Sequence, residues 1–377
     1  MVISDIAFIA LHAQLPAGGA YGMSKSLATA RMTTLVRLRL ADGTEGIGEC
    51  WGIPQVNLAM LPLIKGYLVG TNVLDIEHAY ALMLARHYHF GVQGPLTWCI
   101  SGIDMAAKDA AGKVLGQPIH RLIGGKQAAH VPIYASGGYL TENSARDFEP
   151  QIEAMAKAGH RSIKIKIGVS PTNDEERVAL ARRILGMGVE ILVDINSNYT
   201  LDLARESIAR IAPYKIGWVE EPLAPQDFAG YELLQRWSPV PLATGEALYT
   251  SFDFKRLIDR RAVDVVQPDL SLCGGFWQGK QIAQLAMMEH LRLSPQVWGT
   301  GVGLAAAVHF VASQPVYPHA NNVPRPTLLE YDLGTNPLRD SILKNALKPE
   351  DGAIVVPDAP GLGIEVDWDA VERHALH

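Results

Sequence analysis

The feature that most constrains the fold is a regular alternation of short apolar segments and helical stretches after residue 130. Eight such segments follow one another, in most cases roughly 22 to 32 residues apart, and each is short enough to be a buried strand. They cover 131–136, 162–168, 190–196, 218–223, 242–247, 263–269, 292–298 and 327–332. Helical patterns such as 175–185 and 201–211 lie between them. The repeat predicts an α/β fold of the (β/α)8 TIM-barrel type.

A doubly wound open sheet is the competing layout for alternating strands and helices. That layout predicts a glycine-rich phosphate-binding turn directly after the first strand, and no such turn follows 131–136. The barrel is therefore the better interpretation.

The first third of the chain has a different pattern. An alternating strand at 33–40 is followed by the turn Asp42-Gly43 and a returning strand at 44–49, and helical patterns cover 73–87 and 96–115. We therefore predict an α+β capping domain at 1–126, a barrel domain at 127–345, and a C-terminal segment at 346–377 that packs back on the capping domain. The glycine-rich stretch 16–23 is interpreted as a mobile lid.

Composition excludes several classes of protein. The 377 residues carry a net charge of −6 with no basic stripe, so we expect no nucleic-acid partner. The three cysteines, Cys50, Cys99 and Cys273, are widely spaced and indicate no disulfide framework. No apolar run reaches the length of a membrane span, and the N-terminus reads as a strand. We expect a cytoplasmic protein without a membrane partner.

Segment 162–168 carries two lysines on one face of a predicted buried strand. Because side chains alternate along a strand, Lys164 and Lys166 point one way while Ile163, Ile165 and Ile167 point the other. Such a pair on its own is compatible with a solvated edge strand. Burial next to carboxylates would instead make the amines functional.

Carboxylates supply that context, because Asp194, Glu220 and Glu246 lie at or near the ends of three successive predicted strands. The C-terminal ends of barrel strands meet at one face, so these side chains can converge on one hard cation. We predict one Mg²⁺ per active site, held by these three residues. Glu221 is expected on the opposite side of its strand, with a structural partner.

Lysines beside a metal point to proton abstraction next to a substrate carboxylate. The resulting enediolate needs stabilisation, which Mg²⁺ supplies, and Lys166 would take the proton. Lys164 would lower the pKa of Lys166 by charge repulsion and could bind the substrate carboxylate. Glu330, on the last strand, could donate a hydrogen bond to that carboxylate if it is protonated.

The chain resembles the enolase superfamily, and within it the mandelate racemase subgroup. The motifs that carry this resemblance are 101–109, Lys164-Ile165-Lys166, Asp194-Ile195-Asn196, Trp218-Val219-Glu220-Glu221-Pro222, Gly245-Glu246 and Gln267-Pro268-Asp269 before Gly274-Gly275. The resemblance implies a magnesium-dependent enzyme whose capping loops, 14–24 and 50–54, close over the barrel mouth. Asn196, Glu221, Gln267 and Trp298 would support the metal or the substrate. The muconate-lactonising subgroup fits less well, because it has a lysine where this chain has Asp269.

Further motifs are similar to those of galactarolactone cycloisomerases and acid-sugar dehydratases. They are Cys273-Gly274-Gly275-Phe276, Trp298-Gly299-Thr300-Gly301-Val302, Asn336-Pro337-Leu338 and 357–364. This resemblance implies a small-molecule carboxylate substrate, a sugar acid or its lactone. It also implies a homo-oligomer.

One position departs from the family pattern. Gln296 stands where relatives carry a histidine that pairs with the aspartate of strand six, here Asp269. Glutamine cannot shuttle a proton, so two-base racemisation loses support. His309 lies in an apolar helical run and is interpreted as a core residue, whereas His319 could face the site from the loop before strand eight. Magnesium-dependent β-elimination is the leading hypothesis. Lactone cycloisomerisation, one-base epimerisation and a non-catalytic metal-binding relative are the alternatives.

Overall fold

The structure is a computed structural model that describes residues 1–316, 318 and 322–376. The first part of the chain forms an antiparallel sheet covered by helices. Its strands and helices are β1 (Ile3–Gln14), β2 (Tyr21–Met23), β3 (Ser26–Ala28), β4 (Ala30–Leu40), β5 (Glu45–Cys50), α1 (Pro54–Ile64), α2 (Ile76–His87), α3 (Pro95–Leu115) and α4 (Ile119–Ile123). The sheet order β1-β4-β5 follows from the Asp42-Gly43 hairpin.

The remainder of the chain alternates strands and helices. Its strands are β6 (His130–Gly137), β7 (Leu140–Thr141), β8 (Ser162–Lys166), β9 (Glu190–Asp194), β10 (Ile216–Glu220), β11 (Leu242–Thr244), β12 (Val265–Val266), β13 (Arg292–Leu293), β14 (Leu329–Asp332) and β15 (Ala353–Val355). Its helices are α5 (Ser144–Lys157), α6 (Pro171–Leu185), α7 (Leu201–Ile211), α8 (Phe228–Trp237), α9 (Thr250–Ile258), α10 (Gly275–Met288), α11 (Gly301–Ala312), α12 (Pro337–Asp340) and α13 (Trp368–His374).

Eight of these strands form one curled parallel sheet in the order β13-β12-β11-β10-β9-β8-β6-β14. The two ends of the sheet, β13 and β14, approach each other without forming a ladder. Two contacts span the seam: the Glu330 amide donates to the Pro295 carbonyl at 3.4 Å, and the Ser294 hydroxyl donates to the Leu328 carbonyl at 2.7 Å. The predicted fold class, a modified barrel with an α+β cap, is confirmed.

The alternation predicted for the lysine strand is present. Ile163 and Ile165 are fully buried against the surrounding helices, with Ile152 of α5 and Val178 of α6 in the same apolar cluster. The opposite face of the sheet encloses a second cluster, made of Tyr134, Leu192, Trp218, Ala243 and Val265. Lys164 points to this inner side, where it lies beside carboxylates of β9, β10 and β14.

Several barrel strands are shorter than the sequence predicted. β11 ends at Thr244 and β12 at Val266, so Glu246 and Asp269 lie on the loops that follow. Two further strands, β9 and β10, also end early, at Asp194 and Glu220. Left-handed backbone conformations just after them explain this, because φ is +51° at Asn196 and +41° at Glu221. A strand cannot continue through such a residue, and the side chain is turned out of the alternation.

The capping sheet lies very close to helix α3. A Cβ atom on Gly46 would come within 2.0 Å of the Ala106 carbonyl, and one on Gly48 within 2.0 Å of the Gly102 carbonyl. Only glycine permits this approach. β5 is therefore held rigidly against α3, and the residues that follow it are directed to the barrel.

Residues 21–23 of the glycine-rich segment interpreted as a lid form strand β2 of a small sheet. β2 pairs with β3 on one side and with β7, which follows the first barrel strand, on the other. The Ser24 hydroxyl donates to the Ile195 carbonyl at 3.2 Å, and the Trp51 amide donates to the Ser271 carbonyl at 3.0 Å. Both capping loops thus contact the C-terminal end of the barrel.

The C-terminal segment contacts both parts of the fold. β15 pairs antiparallel with the start of β6, and the Leu376 amide donates to the Ala10 carbonyl of β1 at 2.9 Å. Within the described residues, no helix is both long and apolar enough to cross a lipid bilayer.

Candidate active site

Three carboxylates converge at the C-terminal end of the barrel. One oxygen each of Asp194, Glu220 and Glu246 lies within 4.8 Å of the others. Asp194 and Glu220 are completely buried. Burial and the neighbouring negative charges raise the pKa of Glu220 to about 8 and hold that of Glu246 well above its usual range. An all-oxygen donor set with crowded negative charge fits a hard divalent cation.

Lys164 is enclosed by carboxylates. Its ammonium group contacts Glu220, lies 2.9 Å from a Glu330 oxygen and 3.7 Å from an Asp194 oxygen, and its side chain has no solvent exposure. Burial alone would lower its pKa, but the charges of Glu220 and Glu330 outweigh burial and hold the pKa well above the usual value. Lys164 is therefore a fixed cation.

Lys166 is the more exposed of the two lysines. Its amine lies 2.5 Å from Asp194 Oδ2, and 11% of its side chain is exposed. We predicted a lowered pKa for this residue, and the structure contradicts that prediction. Burial and Lys164 do act to lower the pKa of Lys166, but Asp194 outweighs them and raises it. A divalent cation on Asp194 would compete for the same oxygens and reverse this balance.

The carboxylate of Glu220 is oriented by two hydrogen bonds. Trp218 Nε1 donates to Glu220 Oε2 at 3.1 Å, and Gln267 Nε2 donates to the same oxygen at 2.7 Å. Gln267 is fully buried. These two donors leave Glu220 Oε1 for Lys164.

Orphaned polar atoms surround the carboxylate cluster. In the described part of the chain, Asn196 Oδ1, Glu221 Oε1 and Gln267 Oε1 are buried and have no hydrogen-bond partner. Unpaired buried oxygens of this kind normally meet water or an ion. They are a further observation that fits a hydrated cation at this position.

Glu221 does not follow the prediction made for it. Its φ of +41° breaks the strand alternation, and its carboxylate interacts electrostatically with Asp194 and Glu246. Burial together with Asp194 raises its pKa to about 8. The expected structural partner on the far side of the strand is absent from the described residues, and Glu221 instead adds negative charge to the cluster.

The loops after strands six and seven carry Asp269 and Gln296. Asp269 Oδ1 accepts hydrogen bonds from the Ser271 amide at 2.7 Å and the Ser271 hydroxyl at 2.6 Å, and burial raises its pKa to about 7. The Gln296 amide nitrogen of the backbone donates to the Pro268 carbonyl at 3.2 Å, so the two loops lie side by side. Gln296 is 8% exposed.

Each carboxylate oxygen of Glu330 has a partner, an ion pair on one and a hydrogen bond on the other. Oε1 faces Lys164 at 2.9 Å, and Oε2 accepts from the Val297 amide at 3.2 Å. The role of Glu330 as a hydrogen-bond donor to a substrate carboxylate stays a prediction.

A buried network missed by the sequence analysis surrounds Trp298. The Arg31 guanidinium lies 3.6 Å from the centre of the Trp298 ring, donates to the Trp298 carbonyl and pairs with Asp332 at 3.3 Å. Tyr21 of the lid accepts from Arg31 at 2.9 Å, and the Tyr139 hydroxyl donates to Asp332 at 2.6 Å. Strand alternation could have indicated Asp332, because it is two residues from Glu330.

Glu49 is a second residue that the sequence analysis missed. It accepts from the Thr300 amide at 2.9 Å, the Gly303 amide at 2.8 Å and the Thr300 and Thr33 hydroxyls at 2.7 and 2.9 Å. A carboxylate at the N-terminus of α11 is favoured by the helix dipole. The capping domain is thereby tied to the loop that carries Gln296 and Trp298.

His309 lies apart from the carboxylates and lysines. His309 is buried, as predicted for a core residue; its Nδ1 lies 3.0 Å from His120 Nδ1, and burial lowers its pKa to about 4. His319 lies outside the described residues.

Comparison with known families agrees with this arrangement. Residues 17–124 match the mandelate racemase / muconate lactonizing enzyme N-terminal domain, and residues 147–370 match the enolase C-terminal domain-like family. The chain belongs to the mandelate racemase/muconate lactonizing enzyme family of the enolase superfamily, as the resemblance predicted.

The similar proteins within this family include a sugar-lactone cycloisomerase and an acid-sugar dehydratase. The chain is 34% identical over 348 residues to D-galactarolactone cycloisomerase of Agrobacterium fabrum, with 92% of each chain covered. It is 32% identical over 344 residues to arabinonate dehydratase of Saccharolobus solfataricus, with 89% of each covered. A solved racemase from Streptomyces coelicolor A3(2) with bound magnesium superimposes with a TM-score of 0.88 at 27% identity, with 100% of both chains covered. The protein is an enzyme, and the non-catalytic alternative is set aside.

Proposed function

We propose that this enzyme removes the proton next to the carboxylate of a sugar acid, with Mg²⁺ as cofactor, and eliminates the hydroxyl of the adjacent carbon. The observation that carries the proposal is the pairing of Lys164 and Lys166 with three convergent carboxylates, while position 296 is a residue that cannot titrate. Dehydratases of acid sugars among the relatives support it.

Asp194, Glu220 and Glu246 would hold the Mg²⁺. When bound, Mg²⁺ neutralises the negative charge that develops on the substrate carboxylate as the neighbouring C–H bond breaks. Lys164, fixed by Glu220 and Glu330, offers a second positive charge to the same carboxylate. Lys166 is assigned as the base because its side chain is 11% exposed, whereas that of Lys164 has no exposure.

Lys166 alone can carry out both proton transfers, on one face of the substrate. Lys166, as the neutral amine, takes the α-proton, and the electron pair of the C–H bond forms the new carbon–carbon double bond as the β C–O bond breaks. The Lys166 ammonium then gives its proton to the departing hydroxyl, so water leaves. The enol tautomerises to a 2-keto acid. No titratable group at position 296 is required.

Cycloisomerisation of a sugar lactone is the second candidate. The 34% identity to a galactarolactone cycloisomerase over 92% of both chains favours it. The same α-proton abstraction would open the lactone ring by expelling the ring oxygen instead of a hydroxyl. The product therefore distinguishes the two reactions.

A substrate screen in heavy water tests the proposal. Mono-acid sugars, di-acid sugars and their lactones are incubated with Mg²⁺ and analysed by NMR for products and for deuterium at the α-carbon. A dehydratase gives a free 2-keto acid from an open acid, and a cycloisomerase consumes only lactones. Undiminished turnover in excess EDTA, or neither turnover nor deuterium exchange across the whole panel, would contradict the proposal.

A further inference from the structure

A cavity lies at the opposite end of the barrel from the lysines. It has a volume of about 870 Å³ and is lined by residues at the start of the strands, including Ser162 of β8, Glu190 of β9 and Arg292 of β13. The catalytic groups lie at the other ends of these strands. The volume is in the range of small-ligand sites in proteins.

The charged groups around this cavity are mainly cationic. The cations are Arg161, Lys280, Arg292 and Arg325, and the carboxylates are Glu190 and Asp351. The protein as a whole has a net charge of −6. A local excess of positive charge in an acidic protein, within a concave site, attracts anions.

Arg292 and Arg325 lie close enough to repel each other. Arg292 is partly buried, and no hydrogen bond or ion pair joins its guanidinium group to any described residue. Burial, and then the charge of Arg325, lowers the pKa of Arg292, and the charges of Asp264 and Glu190 offset this lowering only in part. Glu190 is a weak counterion, because it lies 3.8 Å from Arg325 and also accepts from the Ser162 hydroxyl at 3.2 Å.

We propose that this cavity binds a small oxyanion, a carboxylate or a phosphate, between Arg292 and Arg325. Guanidinium groups bind such anions through paired N–H donors in one plane, which a point charge cannot reproduce. An anion placed there separates two like charges and supplies the acceptor that Arg292 lacks. The site is distinct from the catalytic centre.

Two aromatic residues form the floor between this cavity and the catalytic centre. The Trp218 ring lines the cavity, while its Nε1 donates to Glu220 Oε2 at 3.1 Å. Tyr134 packs edge-on against Trp218 with 5.4 Å between ring centres, and Lys164 donates to its hydroxyl at 3.4 Å. An occupant that extends to Trp218 would contact the residue that orients Glu220, and its binding would then change tryptophan fluorescence.

Calorimetric titration of the magnesium-loaded enzyme tests the site. Inorganic phosphate and tartrate are used separately, so that the phosphate and carboxylate sources are distinguished. Binding of one or both is expected, with affinity about tenfold weaker in Arg292→Gln and in Arg325→Gln. Arg260→Gln removes an exposed arginine from the turn after α9 and should leave binding unchanged.

Arg325 is largely exposed, with 55% of its side chain accessible, so this variant should fold even if Arg292→Gln does not. Absence of binding up to tens of millimolar of both anions would overturn the proposal. Equal affinity in wild type and Arg325→Gln would overturn it as well, because the anion would then bind elsewhere, such as at the catalytic metal. Turnover is not part of this test, so its outcome is independent of the assigned reaction.

Discussion

Lys164 and Lys166 lie two residues apart on one strand but occupy different environments. Lys164 is enclosed by Glu220, Glu330 and Asp194, whereas Lys166 contacts Asp194 and retains some exposure. A cation fixed by several carboxylates suits charge stabilisation, and a partly exposed amine suits proton transfer. The two lysines are therefore not interchangeable.

Gln296→His should create a second proton-transfer group. The new imidazole would lie on the loop next to that of Asp269 and could protonate the other face of the α-carbon. Wild type should place deuterium on one face only, and the variant should produce both configurations, as measured by NMR of recovered substrate.

Gln235→His, on the outer helix α8, is the control for a new histidine away from the site. It should behave as wild type. If the wild-type enzyme already produced both configurations at the α-carbon, a second acid–base group would have to exist. The proposal that Lys166 alone transfers protons would then be wrong.

Among the elements, β5 both forms part of the capping sheet and joins that sheet to helix α11 of the barrel domain. Glu49 at its end accepts from two backbone amides at the start of α11 and from two hydroxyl groups. Glu49→Ala leaves these donors buried and unpaired, and should cost about 3 kcal/mol of unfolding free energy. Chemical denaturation measures this loss.

Glu45→Ala on the same strand is the matched control. Glu45 pairs with Arg37 and Arg39 near the surface, so its removal should cost under about 1 kcal/mol. Equal losses in the two variants would show that Glu49 does not join the capping domain to α11.

Strand alternation alone predicts that Lys164 and Lys166 share one face of β8, and both amines indeed approach Asp194 on the inner side of the sheet. The same rule fails at Glu221, because a positive φ turns the side chain, and this backbone change leaves no signal in one sequence. The direction of the Lys166 pKa shift was also predicted wrongly. It depends on the distances of Lys166 from Asp194, which raises the pKa, and from Lys164, which lowers it, and one sequence does not give these distances.

On the scale of the whole molecule, the strand repeat predicted the barrel, but contacts between distant segments could not be predicted. Arg31 and Asp332 are 301 residues apart, and neither their pairing nor the docking of Tyr21 beside them follows from local periodicity. Such contacts depend on how the capping domain sits on the barrel. Local patterns carry no information about that arrangement.

Stability of the whole molecule should depend on pH and metal together. Burial raises the pKa of Glu220 and of Glu221 from 4.5 to about 8 in the folded protein. Their contribution to stability is therefore fully present below pH 4.5 and is lost as the pH rises through about 8. The metal-free protein should melt at a lower temperature at about pH 9 than at about pH 6.

Added Mg²⁺ should raise the melting temperature more at the higher pH, because the metal binds the ionised carboxylates and displaces protons. Differential scanning calorimetry with and without EDTA measures both effects. A magnesium effect that is larger at low pH would contradict the assignment of the metal to this cluster.

The most direct test of the central claim is deuterium incorporation at the α-carbon of an acid-sugar substrate, compared between wild type, Lys166→Met and the exposed control Lys157→Met. The account predicts magnesium-dependent incorporation in wild type and Lys157→Met, and a loss of about 10³-fold or more in Lys166→Met. Incorporation by Lys166→Met at the wild-type rate would contradict it, because another group would then remove the proton.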